Sequence, residues 1–264
     1  MKRALLAWAA AVAAAPLAAQ VDYRNLDDDR PLRVEDAYPV ERYAFELIVP
    51  GFAAFERGGG HFGFVPELSF GVLPGAAIGL KAPLAGTWGR ADDEYDLAGL
   101  RGFFLANLTT ETGTLPGLAV RLDATAPVGG AAGEGASASI KALATRSFGR
   151  HRAHLNAAWG FVTQDVPGQV EPTPRWWVGL AVDRTLIRAS TLLLLGFNAV
   201  GPGGGADTRW EAAIGVRRQL TPTLVVDAGA SGRLAGPGEN AALTLGLTHA
   251  FALAGLYPRP GRSR

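Results

Sequence analysis

Cysteine is absent from all 264 residues. That removes a disulfide framework, thiolate zinc sites, thiol catalysis and lipid attachment at a thiol. Long apolar runs are also missing. Beyond the first twenty residues nothing approaches the ~20 apolar positions of a spanning helix. The longest candidate, Thr191 to Val200, is interrupted by Gly196 and Asn198. Charge of one sign has no excess, with 25 Lys and Arg against 24 Asp and Glu, interspersed. A nucleic-acid partner is therefore not expected. Histidine is scarce. His61, His151, His154 and His249 show no metal-ligand spacing, and on a strand His151 and His154 point to opposite faces. No Gly-x-Ser-x-Gly elbow occurs. The glycines at Gly201 to Gly205 precede a strand pattern, not the helix that a phosphate or dinucleotide loop needs. No catalytic residue, metal ligand or cofactor is assigned.

What is present begins with a targeting pattern. Lys2 and Arg3 precede an apolar run, Ala4 to Ala15, and then Pro16-Leu17-Ala18-Ala19. This reads as a signal peptide over 1–19, cut after Ala19; an N-terminal anchor fits less well, because the run is short and rich in alanine. Its loss takes two of the 25 basic residues and none of the 24 acids, leaving a net charge near −1. With no later spanning helix, the destination is periplasmic, secreted or outer-membrane. Residues 20–39 are polar, with Asp27, Asp28, Asp29, Arg30, Arg33, Glu35 and Asp36. They read as a periplasmic extension folding under the main domain, their acids solvated and not metal-binding.

From Val40 the pattern has period two. In the last strand Leu243, Leu245, Leu247, His249 and Phe251 alternate with Ala242, Thr244, Gly246, Thr248 and Ala250. Alternation places the two sets on opposite faces. Similar stretches recur through 40–251, including continuous strands over His61 to Leu73, Ala76 to Thr87 and Tyr95 to Thr110. They number about twelve, each roughly ten to thirteen residues, the length of a tilted transmembrane strand. Connections alternate between mostly longer Gly-rich or polar loops and mostly shorter turns, as in an up-and-down membrane barrel. Mid-strand charges fall on the small-residue face. Glu46, Glu67, Lys81, Arg121, Asp123, Asp183, Glu211, Arg217, Asp227 and Arg233 are assigned to the lumen, with Lys141 and Arg175 beside them. Acids and bases balance, so cross-strand pairing is expected, narrowing the lumen or lining a path. Trp88, Trp159, Trp176, Trp177, Trp210, Tyr43 and Tyr95 lie near strand ends, as in interfacial girdles.

Two segments carry a resemblance. Arg33-Val34-Glu35-Asp36-Ala37-Tyr38-Pro39-Val40-Glu41-Arg42-Tyr43-Ala44-Phe45-Glu46-Leu47 resembles the start of the phenol-degradation meta-pathway, transporter-like family of bacterial outer-membrane proteins. Pro66-Glu67-Leu68-Ser69-Phe70-Gly71-Val72-Leu73-Pro74 is similar to its second hairpin. The resemblance implies a β-barrel that passes small hydrophobic or aromatic compounds, and carries over no binding residues. The expectation is an all-β, antiparallel, up-and-down transmembrane barrel of about twelve strands in the outer membrane. Both termini are periplasmic, 252–264 is a tail, and the partners are outer-membrane lipid and a small apolar or aromatic solute. A monomer is the default. The alternatives are a structural barrel without transport, a soluble barrel, or a lipid hydrolase using His61 with Ser69, or His154 with a nearby Ser, on the lipid-facing rim.

Overall fold

A computed structural model of the chain describes residues 22–89, 95–132, 135–162, 175–186, 190–201, 207–253 and 256. The expected signal peptide and most of the tail lie outside them. So do the expected turn at Ile187 to Ala189, the loop at Gln164 to Thr173, and parts of those near 90 and 202.

Alternating bulky and small residues give β1 (Ala44–Glu56), β2 (Gly59–Phe64), β3 (Glu67–Leu73), β4 (Ala76–Lys81), β5 (Leu84–Trp88), β6 (Tyr95–Leu97), β7 (Leu100–Thr109) and β8 (Gly117–Ala126). They continue with β9 (Ser137–Phe148), β10 (His151–Val162), β11 (Trp176–Thr185), β12 (Thr191–Gly201), β13 (Arg209–Thr221), β14 (Leu224–Ala235) and β15 (Ala241–Ala252). All lie in one antiparallel sheet, and β15 returns to β1 in register from Ala44 opposite Ala252 to Phe55 opposite Ala241. The sheet is thus a closed barrel with no free edge. β2 with β3, β4 with β5, and β6 with β7 each make one wall strand, so the wall has twelve. Pro74-Gly75, Gly149-Arg150 and Pro222-Thr223 are tight turns at the end where the first and last strands begin and finish. We call this the terminal end and the other the loop end. The β7–β8 connection, residues 110–116, is the longer exception among these turns.

Three strands that the sequence pattern reads as continuous are interrupted, at Val65-Pro66, Ala82-Pro83 and Ala98-Gly99. Pro66 and Pro83 have no N–H to give a ladder, and Gly99 adopts a φ of 117°. Hydrogen bonds cross each break, and at the third Gly99 also donates its N–H to the Val128 carbonyl at 2.9 Å. Val65, Ala82 and Ala98 donate their N–H to the carbonyls of Pro50, Pro66 and Pro83, at 3.0, 3.0 and 2.8 Å.

The outer face is a belt of large apolar side chains, with Leu245 68% exposed and Leu80, Leu195 and Ile214 also exposed. A continuous belt of this kind is what a wall facing lipid hydrocarbon requires, and is costly against water. Trp159, Trp210 and Tyr95 are exposed on this side. Trp177 is not part of the girdle. It follows Trp176 directly, so alternation turns it into the lumen, where it is buried.

The segment expected beneath the barrel runs through its interior instead. Leu26, Leu32 and Val34 pack with Trp177, Ala181, Leu192, Leu194 and Val200. This explains why β12 is apolar on both faces: Leu192 and Leu194 meet the segment while Leu193, Leu195 and Phe197 face outward. The wall gives way where the segment touches it. A Cβ at Gly246 would overlap Arg30 Nη1, and one at Gly229 would overlap the Pro31 carbonyl.

If the belt faces hydrocarbon, the cost of a charge follows depth. Leu245→Arg, near mid-strand, should lower unfolding stability in lipid vesicles by about 2–4 kcal/mol. Leu220→Arg, at the terminal end of β13, should cost only about 0–1 kcal/mol. Equal costs at the two positions would mean that the belt does not face a bilayer.

Candidate functional site in the barrel lumen

Inward positions on strands far apart in sequence meet one short stretch, residues 26–38. Its acids and bases form three clusters with the wall. In the first, Asp28 accepts from Lys81 Nζ at 2.9 Å and from Lys141 Nζ, with Arg121 Nη2 3.4 Å away. Glu35 binds Arg121 Nη1 at 2.7 Å and Lys141 at 3.3 Å. Asp123 takes the other edge of Arg121 at 3.1 Å, and that guanidinium lies 3.8 Å over the Phe103 ring. Glu67 pairs with Lys81 at 3.0 Å.

In the second cluster Arg30 donates to Asp227 at 2.9 Å, to Thr248 at 2.7 Å and to Asp27. Arg217 reaches Asp27 at 2.6 Å and Asp227 at 3.4 Å. In the third, Arg152 holds Asp183 at 2.8 Å and Asp36 at 3.5 Å. Asn156 clamps the Glu35 backbone, accepting its N–H and donating to its carbonyl, both at 2.8 Å.

Seven of the ten lumen assignments, Glu67, Lys81, Arg121, Asp123, Asp183, Arg217 and Asp227, belong to these clusters. Three cross-strand pairs stand directly opposite in register: Glu67 with Lys81, Arg217 with Asp227, and Arg152 with Asp183. Glu46 faces inward, is half-buried and borders a small void at the terminal end. Glu211 lies near the loop end, 3.8 Å from Arg33. Arg233 is exposed at the loop end and holds the β14–β15 loop through the Gly236 carbonyl, at 2.7 Å, and Asn240. Arg152, His154, Asn156 and the segment's own Asp27, Asp28, Glu35 and Asp36 were outside the assignment. Arg152 and His154 share the inward parity of β10 with Asn156, the one available signal.

The two serine–histidine pairings do not form. His154 is 1% exposed and lies in the lumen, away from lipid. His61 pairs across from Ala54 and Ser69 from Glu46, both on β1. Eight residues at ~3.3 Å each separate these levels by roughly 26 Å. His154 does sit in a hydroxyl–imidazole–carboxylate chain. Its Nε2 donates to Asp183 at 2.8 Å, and Thr145 Oγ1 lies 3.1 Å from Nδ1. Thr145 is fully buried, and its oxygen also accepts the Ala37 N–H at 3.1 Å. The arrangement therefore fastens the segment, with no room for a substrate.

Above the segment, at the loop end, is a cavity of about 640 Å3. Its floor is Asp28 to Arg33 with Lys81 and Lys141. Ile48, Phe52, Val65, Ala138, Trp177 and Val200 line its wall together with Arg101, Asp123, Ser139 and Asn198, and Glu56, His61, Arg209, Arg233 and Glu239 ring its mouth. The void on the other side of the segment is about 40 Å3.

Burial and the neighbouring cations together set the protonation of the segment's acids. Asp36 is pushed up to about 7 by desolvation, which outweighs Arg152 and the backbone hydrogen bonds it accepts. Burial also opposes ionisation of Asp28, but Arg121, Lys141 and Lys81 outweigh it and hold that carboxyl well below the ordinary value.

Removing one partner of such a buried pair costs about 3–5 kcal/mol, because the other charge stays buried. Arg121→Gln should therefore free the segment, seen as tryptic cleavage at Arg24 or Arg33 in a barrel that still keeps its strand content. A pH effect follows from Asp36. Between its ordinary 3.8 and about 7 the folded state holds the extra proton, so docking weakens as pH rises through that window. Segment protection, followed by proteolysis at a series of pH values, should fall with that slope. Asp36→Asn should flatten it, and an unchanged slope would remove Asp36 as its source.

No family model matches the chain, and no curated protein matches it by sequence. Solved structures are similar in fold. An outer-membrane channel from Pseudomonas putida F1 aligns with a TM-score of 0.63 at 15% identity, over 86% of this chain and 100% of that one. The KdgM porin in complex with disordered oligogalacturonate aligns at 0.53 and 6% identity, over 79% and 99%. The NanC porin aligns at 0.53 and 8% identity, over 77% and 98%. At these identities the likeness is one of fold: this chain folds as a twelve-stranded antiparallel barrel of the outer-membrane type.

Proposed function

We propose that the protein is an outer-membrane channel that lets small apolar or aromatic solutes cross by diffusion. The observation that carries this reading is the cavity of about 640 Å3 toward the loop end, where apolar side chains such as Ile48, Phe52 and Val65 stand beside polar ones such as Asp123, Ser139 and Asn198 over a charged floor. A mixed lining of this kind suits a small solute with an apolar body and a polar group. The segment is the barrier, held by ion pairs to β4, β8, β9, β10, β13 and β14. In this reading 1–19 is a cleaved signal, both termini are periplasmic and the loop end faces outward. The fold neighbours, an outer-membrane channel and porins, support it, as does the resemblance in the two segments at 33–47 and 66–74.

The filled lumen favours a second reading, a structural barrel without transport. One experiment separates the two. In liposomes the wild type should admit a small aromatic alcohol faster than a sugar of similar size. Arg121→Gln, with its segment loosened, should admit both faster. If neither protein raises flux above empty liposomes, the structural reading stands and the channel reading is dropped.

A further inference from the structure

We infer that the mouth of the barrel carries a divalent transition-metal site formed by Glu56, His61 and Glu239. Among the described residues these three form the single group of histidine and carboxylate side chains whose ligand atoms all lie within 4.8 Å of one another. His61 Nε2 is 3.3 Å from Glu239 Oε1, and His61 Nδ1 is 4.0 Å from Glu56 Oε1. Atoms bound at ~2.0–2.2 Å around one tetrahedral ion stand a little over 3 Å apart, so His61 Nε2 and Glu239 already have that spacing, while Glu56, which faces the other ring nitrogen, has to swing its carboxylate to the Nε2 side to complete the set. An imidazole with two carboxylates suits Zn2+ or its neighbours better than Ca2+ or Mg2+, which prefer oxygen alone.

The fold builds this set from both sides of the seam that closes the barrel. Ala54 stands opposite His61 in the β1–β2 ladder, so Glu56, two residues on, shares its inward face as a diagonal neighbour. Glu239 comes from the β14–β15 loop, which is tied to β1 by the Asn240 N–H on the Phe55 carbonyl at 2.8 Å. The ligands are themselves oriented. Phe52 meets the His61 ring edge-on at 5.8 Å. Arg209 holds the Oε2 oxygen of Glu239, leaving Oε1 turned toward His61. Hydrogen-bonded carboxylates and fixed imidazoles are the usual support of a metal site. The side chains are 14–34% exposed, so the fourth position opens on the cavity mouth and is left to water or a solute. The ion would clamp the β14–β15 loop to the β1–β2 turn. This inference does not rest on the channel reading, since a structural barrel would bind the same ion.

The test is titration of the purified, folded, tag-free protein with ZnCl2 by calorimetry, and with Co2+ by visible absorption. One equivalent should bind the wild type, with Co2+ bands of a four- or five-coordinate site. His61→Gln and Glu239→Gln should each weaken Zn2+ by about tenfold or more while the barrel keeps its unheated gel mobility. His249→Gln, on the outer face, should bind as the wild type does. Absence of stoichiometric binding in the wild type, or full binding by folded His61→Gln, would overturn the assignment.

Discussion

Asp28 lies between Lys81, Lys141 and Arg121, nearly out of reach of water. A charge in that position must be paired, since burying it alone costs far more than an ordinary contact can return. The same constraint runs through the whole interior. Wall cations on β4, β8, β9, β10 and β13 meet acids of the segment and help hold it in place. The wall also pairs some charges within itself, as at Glu67 and Lys81 or Arg217 and Asp227. The segment completes sets that the wall leaves partly satisfied, and Leu26, Leu32 and Val34 add apolar burial against β11 and β12.

Closure creates the need that the segment meets. A sheet that closes on itself has no edge to protect, but its inner face has to be filled or wetted. Near the terminal end it is filled, by side chains and by the segment. Toward the loop end the described residues leave the chamber. Glycines such as Gly229 and Gly246 allow the filling by letting backbone and guanidinium approach the wall. The prolines act on the other axis. Pro66 and Pro83 leave gaps in neighbouring ladders without opening the sheet, because hydrogen bonds bridge each gap.

These features divide the interior by chemistry. The mouth holds exposed charge and the inferred cation site, the chamber walls mix apolar and polar side chains, and the floor is a dense ion-pair network. Among the described residues the floor is what fills the lumen below the chamber, and ion pairs hold much of it in place.

The barrel was legible because two constraints act locally. Alternation at Leu243, Leu245 and Leu247, and the absence of any long apolar run, determine that the strands have one lipid-facing side. The inward parity of Arg121, Arg217 and Asp227 follows from the same period. The breaks at Pro66 and Pro83 were written in the sequence too, but alternation on both sides masked them. The apolar run of β12 and the inward turn of Trp177 make sense only once the lumen is known to be occupied. Tertiary structure alone decided which partners the charges take. Asp28 and Lys141 are 113 residues apart, and Glu239 and His61 lie on opposite sides of the closing seam. Period and composition report which face a residue occupies, whereas partnership across a closed lumen depends on register and closure, which no local window contains.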